Sequence, residues 1–251
     1  MKSFINLHHL NMTLKLAETR EEIEKARQLR YSELVLLHNK EISFDECFDD
    51  SDFVYDHLIV LEESTEEIVG TYRLGRREHL KHMDGFAIES KFDISAIKNA
   101  EGELLELSRM AIREDYRNGV VVRLLWKGLM DYCEHYDVKY MFGVVSLQTF
   151  DPQGAKNFLS YIYHNHVSDE FDLFAKPPVA EMNLLPPEQV DQSLARKEMH
   201  PILKSYMGMG CKFARNAHID DKMLKSVDVM IVIDYKKINP RYLQLVTRVS
   251  E

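Results

Sequence analysis

The run of apolar and polar segments predicts an α/β chain, one domain spanning residues 1–251 in which a mixed, twisted sheet is flanked by helices. Two observations carry this. Short apolar runs with strand character alternate with stretches at helical spacing, and polar turn clusters separate them. Neither an internal repeat nor a low-complexity linker divides the 251 residues.

Taken in order, Met12, Leu14 and Leu16 alternate with polar residues and predict a first strand. In "TREEIEKARQLRYSELVLL", Thr19 and Glu22 form a capping box, and Ile23, Ala26 and Arg30 fall near one helix face. The acidic, aromatic "EISFDECFDDSDFVYD" reads as a loop, and "HLIVLEE-STEE-IVGTYRL" as a hairpin. Residues 77–101 read as a short helix with an irregular excursion. "ELLELSRMAI" is the next strand, and residues 119–135 form a helix with Val122, Leu125, Leu129 and Tyr132 at helical spacing. "KYMFGVVSL" has the continuous apolar run of a buried strand. Asp151-Pro152 starts a helix whose inward face is Ala155, Phe158, Leu159 and Ile162. Residues 168–198, with two Pro-Pro pairs, read as an excursion with little regular structure. "HPILKSYMGMG" is a short helix closed by glycine, and "SVDVMIVIDY" a last strand.

A net charge of −9 argues against a nucleic-acid binder that works by whole-surface attraction. Cys47, Cys133 and Cys211 are odd in number and form no C-x-x-C pair, which predicts a reducing, cytoplasmic setting without disulfides or a metal cluster. The N-terminal stretch lacks the apolar h-region of a signal peptide, and no window approaches the length of a membrane span.

The stretch opening at Gly102, "GELLELSRMAIREDYRNGVVVRLLWKGL", places two charges, Glu106 and Arg109, inside an apolar strand. It then turns through Arg117-Asn118-Gly119 into a helix opening at Val120. Free N–H groups and the dipole at such a helix start suit an anion, and Arg117 adds a bidentate donor. With one glycine, the turn is matched to a small anion such as the phosphate of a phosphopantetheine arm. An ordinary strand-to-helix connection has the same pattern.

The runs "FDDSDFVYDHLIVLEESTEEIVGTYRL", "LELSRMAIREDYRNGVVVRLLWKGLMDY", "FGVVSLQTFDP", "HPILKSYMGMGCKFARNAHID" and "SVDVMIVIDYKKINPRYL" resemble the ornithine-lipid N-acyltransferases. These form a GNAT-like, haemolysin-labelled branch that includes long-chain N-acyl amino acid synthases. The resemblance runs from residue 10 to residue 243 in one order. It implies a GNAT fold and transfer of a long, typically 3-hydroxylated acyl chain from acyl carrier protein to the α-amine of an amino acid such as ornithine or glycine. The implied co-substrate is the acyl-phosphopantetheine thioester, or acyl-CoA, with no permanently bound cofactor. A lipid-like product implies peripheral contact with the inner membrane. More distantly the chain is similar to acyl-homoserine-lactone synthases. Their pattern of a helix arginine, an acidic loop, a Gly-x-x-Arg-Leu strand and a Glu-x-x-Arg strand falls here on Arg30, Asp49 and Asp56, Gly70 to Leu74 with Arg73, and Glu106 with Arg109. The "DHL" run favours Asp56 and His57.

Amide formation from a thioester requires a base, a stabilised oxyanion and a leaving thiol, with no covalent enzyme intermediate. Glu106 is the candidate base, since burial on a strand raises a carboxyl pKa. A salt bridge from Glu106 to Arg109 or Arg73 is the competing, structural reading. Strand alternation sets Glu106 and Ser108 on one face and Arg109 on the other. Only a bulge, which the resemblance implies, lets Glu106 and Arg109 share a site. Ser108 lies beside the bulge amides as an oxyanion donor. Arg30 or Arg73 is placed to clamp the acceptor's carboxylate, Asp56 to hold its amine or side-chain ammonium, and His57 to act as an alternative base. Arg76, Arg77, Lys81, Arg113, Arg117, Arg123 and Lys127 are candidates for docking an acidic carrier protein. Two rivals remain: an acyl-CoA-dependent GNAT enzyme acting on a small amine, and a non-catalytic acyl-chain-binding module.

Overall fold

A computed structural model describes residues 4–37, 39–48, 50–147 and 149–248. The chain divides into two compact units, one holding residues 1–84, 103–138 and 240–251, the other residues 85–102 and 139–239.

In the first unit, β1 (Asn6–His9), β2 (Met12–Leu16), β3 (Asp56–Glu62), β4 (Glu67–Arg76) and β5 (Glu103–Ile112) lie side by side in that order, every pair antiparallel. Helix α1 (Arg20–Arg30) packs against β4 and β5, and helix α2 (Val120–His135) against β2, β3 and β4. Alternation along β3 and β4 assigns the two helices to opposite faces. Ile59 and Ala111 meet Ala26 and Leu29 of α1, whereas Leu58 approaches Gly128 and Gly70 approaches Val121 of α2. Cover on both faces explains why β4 is buried from Ile68 to Gly75 and reads as a nearly continuous apolar run.

Helix α1 starts as the capping box predicts. The Thr19 hydroxyl accepts from the Glu22 N–H, and the Glu22 carboxylate accepts from the Thr19 N–H. The chain continues as a π-helical turn over Tyr31–Val35. The acidic, aromatic stretch is not wholly irregular, since Phe44–Cys47 and Asp50–Phe53 are short helical turns.

The second unit is built on β6 (Val138–Leu147), β7 (Ala217–Asp220) and β8 (Ser226–Asp234). Strand β8 pairs antiparallel with both β6 and β7, and Val167 makes a parallel bridge to Phe213. Asp151 caps the predicted helix start by accepting from the Gln153 N–H, but the first turn is 3-10 and α3 proper is Lys156–His166. Helices α4 (Gln192–Glu198) and α5 (Pro201–Gly208) follow, with α4 packed on α3. The expectation of little regular structure over 168–198 fails at its end, where Asp191 accepts from the Leu194 N–H and starts α4. Strands β1 and β7 and the terminal helix Pro240–Thr247 are further elements beyond the sequence reading.

Gly70 lets α2 seat on the sheet, because a Cβ there would lie 2.4 Å from Val121 Cγ1. Gly70→Ala is expected to lower stability by about 1–3 kcal/mol, the usual cost of overpacking. A denaturation midpoint equal to that of the parent protein would show that the helix yields freely.

Candidate active site

The register between β4 and β5 pairs Thr71 with Ala111 and Arg73 with Ser108, so that Tyr72 alone faces both Arg109 and Met110. This is the bulge that joint action of Glu106 and Arg109 requires. Arg109 takes φ +57°, a left-handed conformation that costs a non-glycine residue on the order of 1 kcal/mol. The extra residue resets the alternation, so Glu106 and Ser108 before it share the α1 face with Ala111 beyond it. Arg109 lies close enough for its charge to lower the proton affinity of Arg30 and of Cys47.

On this face the charges are organised by a carboxylate that the sequence reading passed over. Asp52 Oδ1 accepts from Arg30 Nη1 at 3.0 Å and from Arg73 Nη1 at 2.8 Å, while Arg27 Nε lies 3.5 Å from Oδ2. Asp49 lies outside the described residues. Arg30 is only 1% exposed, and burial pulls its pKa down to about 10 despite Asp52, so it stays charged at neutral pH. Burial acts to raise the Asp52 pKa, but Arg30 and Arg73 outweigh it and hold the carboxyl below its ordinary value. Rings of the acidic loop cover the same helix: Arg27 sits 5.0 Å from the Phe48 centroid and 5.2 Å from that of Phe53.

Glu106 is 2% exposed, and Tyr55 donates its hydroxyl to Oε2 at 3.2 Å. Arg73 Nε donates to the Ser108 hydroxyl at 3.0 Å, and its guanidinium stands 4.8 Å over the Tyr55 ring. Arg30, Asp52, Arg73, Ser108, Tyr55 and Glu106 therefore form one connected group. Tyr55, like Asp52, was not singled out in the sequence, since it sits in a loop rich in aromatic residues and acids.

His57 joins this group differently from the expectation. Its Nε2 lies 2.7 Å from the Asp52 carbonyl, which only accepts, so Nε2 carries the proton. Burial, reinforced by Arg30, pushes its pKa down to about 3. As a neutral imidazole fixing the loop, it is too weak a base to take a proton from an ammonium. Asp56 is placed apart as well. It points to the α2 face, where its Oδ2 accepts from Tyr132 at 2.5 Å and lies 3.5 Å from His79 Nε2. Arg76 donates to the same Tyr132 hydroxyl at 2.8 Å.

At the predicted anion turn, Gly119 takes φ +95° and is the N-cap of α2. A Cβ there would meet nothing nearer than the Arg123 guanidinium at 3.7 Å. The Asn118 side chain accepts from the Val120 N–H at 3.1 Å. Arg117 is engaged internally, donating to the Ile112 carbonyl at 3.0 Å and to Glu33 at 2.6 Å. Among the described residues, no group of three or more His, Cys, Asp or Glu side chains is arranged to hold a metal ion.

The depressed pKa of His57 gives a pH signature. A histidine in the unfolded chain titrates near about 6.5. Below that pH the unfolded state takes up a proton that the folded state refuses until about 3, so stability falls as pH drops through this window. His57→Gln keeps an N–H donor and cannot titrate. It is expected to remove up to about 1.4 kcal/mol per pH unit of that slope. Unfolding curves with the same pH dependence in both proteins would refute the assignment.

The description "Acetyltransferase (GNAT) domain" matches residues 30–127, which run from the last residue of α1 through the strands β3 to β5 into α2. The chain is 32% identical over 247 residues to the L-ornithine N(alpha)-acyltransferase of Rhizobium meliloti (strain 1021), covering 93% of this chain and 83% of that protein. It is 30% identical to the enzyme of the same name from Brucella abortus (strain 2308), covering 93% and 88%. A solved N-acyl amino acid synthase from uncultured soil microbes, FeeM, superposes with a TM-score of 0.46 at 8% identity, covering 90% of this chain and 92% of that one. The chain is an acyltransferase with a GNAT fold, a mixed sheet flanked by helices, and it belongs to the L-ornithine N(alpha)-acyltransferase family.

Proposed function

We propose that the protein transfers a long, 3-hydroxylated acyl chain from acyl carrier protein to the α-amine of ornithine, giving a lyso-aminolipid. The observation that carries the mechanism is the buried Glu106 carboxylate next to a bulge that turns Arg109 toward the same face. Glu106, directly or through a water, takes the proton of the acceptor's ammonium. The freed amine attacks the thioester carbon, forming the C–N bond, and the carbonyl electrons move to oxygen. Backbone N–H groups at the bulge, with the Ser108 hydroxyl, stabilise that oxyanion. Its collapse breaks the C–S bond, and the phosphopantetheine thiolate leaves with the second proton lost by the new amide nitrogen.

Direct transfer fits the cysteines: Cys47, Cys133 and Cys211 are buried, and burial raises the pKa of Cys47 and Cys211, so neither is an activated nucleophile. Arg73, which donates to Ser108, and Arg109, at the bulge, are the cations assigned to the acceptor's carboxylate. Arg30 and His57, each about 1% exposed, act by holding Asp52 rather than by touching substrate. Asp56, held by Tyr132 at the end of β3, is the acid assigned to ornithine's side-chain ammonium.

For the donor, the start of α2 at Arg117, Asn118, Gly119 and Val120 offers a helix dipole without an acidic residue in the first turn. Arg113 is paired with Glu67 and Asp115, Lys81 with Glu78 and Lys127 with Asp131. Exposed pairs of this kind are held weakly and can exchange partners with an acidic carrier. Among the described residues no helix is long and apolar enough to cross a membrane, and release of a lipid product suits peripheral contact with the inner membrane.

The test supplies purified protein with 3-hydroxyacyl carrier protein or acyl-CoA and a panel of amino acids, and identifies N-acyl products by mass. N-acylornithine formed from the carrier thioester is expected, with Glu106→Gln losing about 10²-fold or more in kcat. No product with any pair would sink the proposed reaction, and a fully active Glu106→Gln would remove that residue from it.

A further inference from the structure

Tyr55 has the placement of a residue held for a purpose. It is 3% exposed, and its hydroxyl donates to Glu106 Oε2 at 3.2 Å. Its ring lies against the bare backbone of Gly75, where a Cβ would fall 2.5 Å from Cε1 and 2.9 Å from Cδ1. The Arg73 guanidinium covers the ring at 4.8 Å, and the His79 ring meets it edge-on at 5.7 Å. The backbone is tied as well, since the Tyr55 N–H donates to the carbonyl of Ser51, the residue before Asp52, at 3.2 Å. Gly75 leaves room for the ring, so the Tyr55 hydroxyl reaches Glu106.

We propose that Tyr55 is the positioning residue of the transfer reaction, its hydroxyl fixing the rotation of the Glu106 carboxylate and its ring linking that carboxylate to the Arg73–Asp52–Arg30 group. This rests on the assignment of Glu106 as the base. A phenol that donates to one carboxylate oxygen restricts the direction from which the base receives a proton. It also favours the ionised carboxylate. Among the polar and charged groups on this side of the sheet are Arg73 from β4, Ser108 and Arg109 from β5, and His79 beyond the Tyr55 ring from the turn after β4. All of them remain in a Tyr55→Phe variant, which keeps the ring and deletes only the donor.

The experiment measures kcat and the KM for ornithine across pH, using the acyl donor that supports turnover, for the parent protein, Tyr55→Phe, Gly75→Ala and Glu106→Gln. Thermal melts confirm that each variant is folded. Tyr55→Phe is expected to lose about tenfold in kcat, the value of a hydrogen bond to a charged group, with KM within about twofold. The acid limb of its profile moves to higher pH, because a carboxylate without its donor is protonated more easily. Gly75→Ala, which displaces the ring and leaves the hydroxyl in the chain, should move the limb in the same direction. An unchanged acid limb in Tyr55→Phe, with or without a fall in kcat, overturns the proposal while Glu106→Gln is inactive. Full activity in Glu106→Gln overturns both, and locates the error in the base rather than in Tyr55.

Discussion

The arrangement depends on one buried carboxylate shared between arginines. Arg30 and Arg73 both donate to Oδ1 of Asp52, and the three side chains are almost removed from water. Burying such charges costs several kcal/mol each unless they are paired and hydrogen-bonded, so the group is stable only when complete. Completion has a structural consequence. Asp52 belongs to the acidic loop, Arg30 to α1 and Arg73 to β4, so closing the ion group pins the loop to the helix and the sheet at once. His57 contributes by donating to the Asp52 backbone, which holds the loop at a second atom.

The position of Tyr55 follows from that anchor. With the loop fixed at Asp52, Tyr55 three residues later is carried over Gly75 and onto Glu106. The sheet supplies the other half. Without the bulge at Arg109, that side chain and Glu106 would face opposite sides of β5. The left-handed backbone at Arg109 is local strain at the place where the chemistry is proposed. The surrounding burial of β4 and β5 between α1 and α2 keeps the strained conformation populated.

Several features were legible along the chain because they depend on neighbours in sequence. The capping box at Thr19, the hairpin of β3 and β4, the strand holding Glu106 and the turn at Gly119 all have local causes. The elements that went unread lack a local signal of that strength. Strand β1 is four residues with no fully buried position, α4 follows a proline-rich stretch, and β7 is four residues long. Each is made regular by the partner it packs against.

The sequence by itself determined the α/β class, the charged strand and, through resemblance, the family, because periodicity and motif order survive without coordinates. It also named Arg30, Arg73, Glu106, Ser108 and Arg109, which the tertiary structure brings onto one face. Tertiary structure alone decided which acid answers the arginines. Asp45, Glu46, Asp52 and Asp56 are near neighbours in sequence with the same chemistry, and only packing against α1 and β4 sets Asp52 apart. It likewise turned His57 from a candidate base into a neutral support, since a histidine's basicity depends on burial and nearby charge rather than on its own type. It sent Asp56 to the opposite face for the simplest of reasons, the alternation of side chains along a strand.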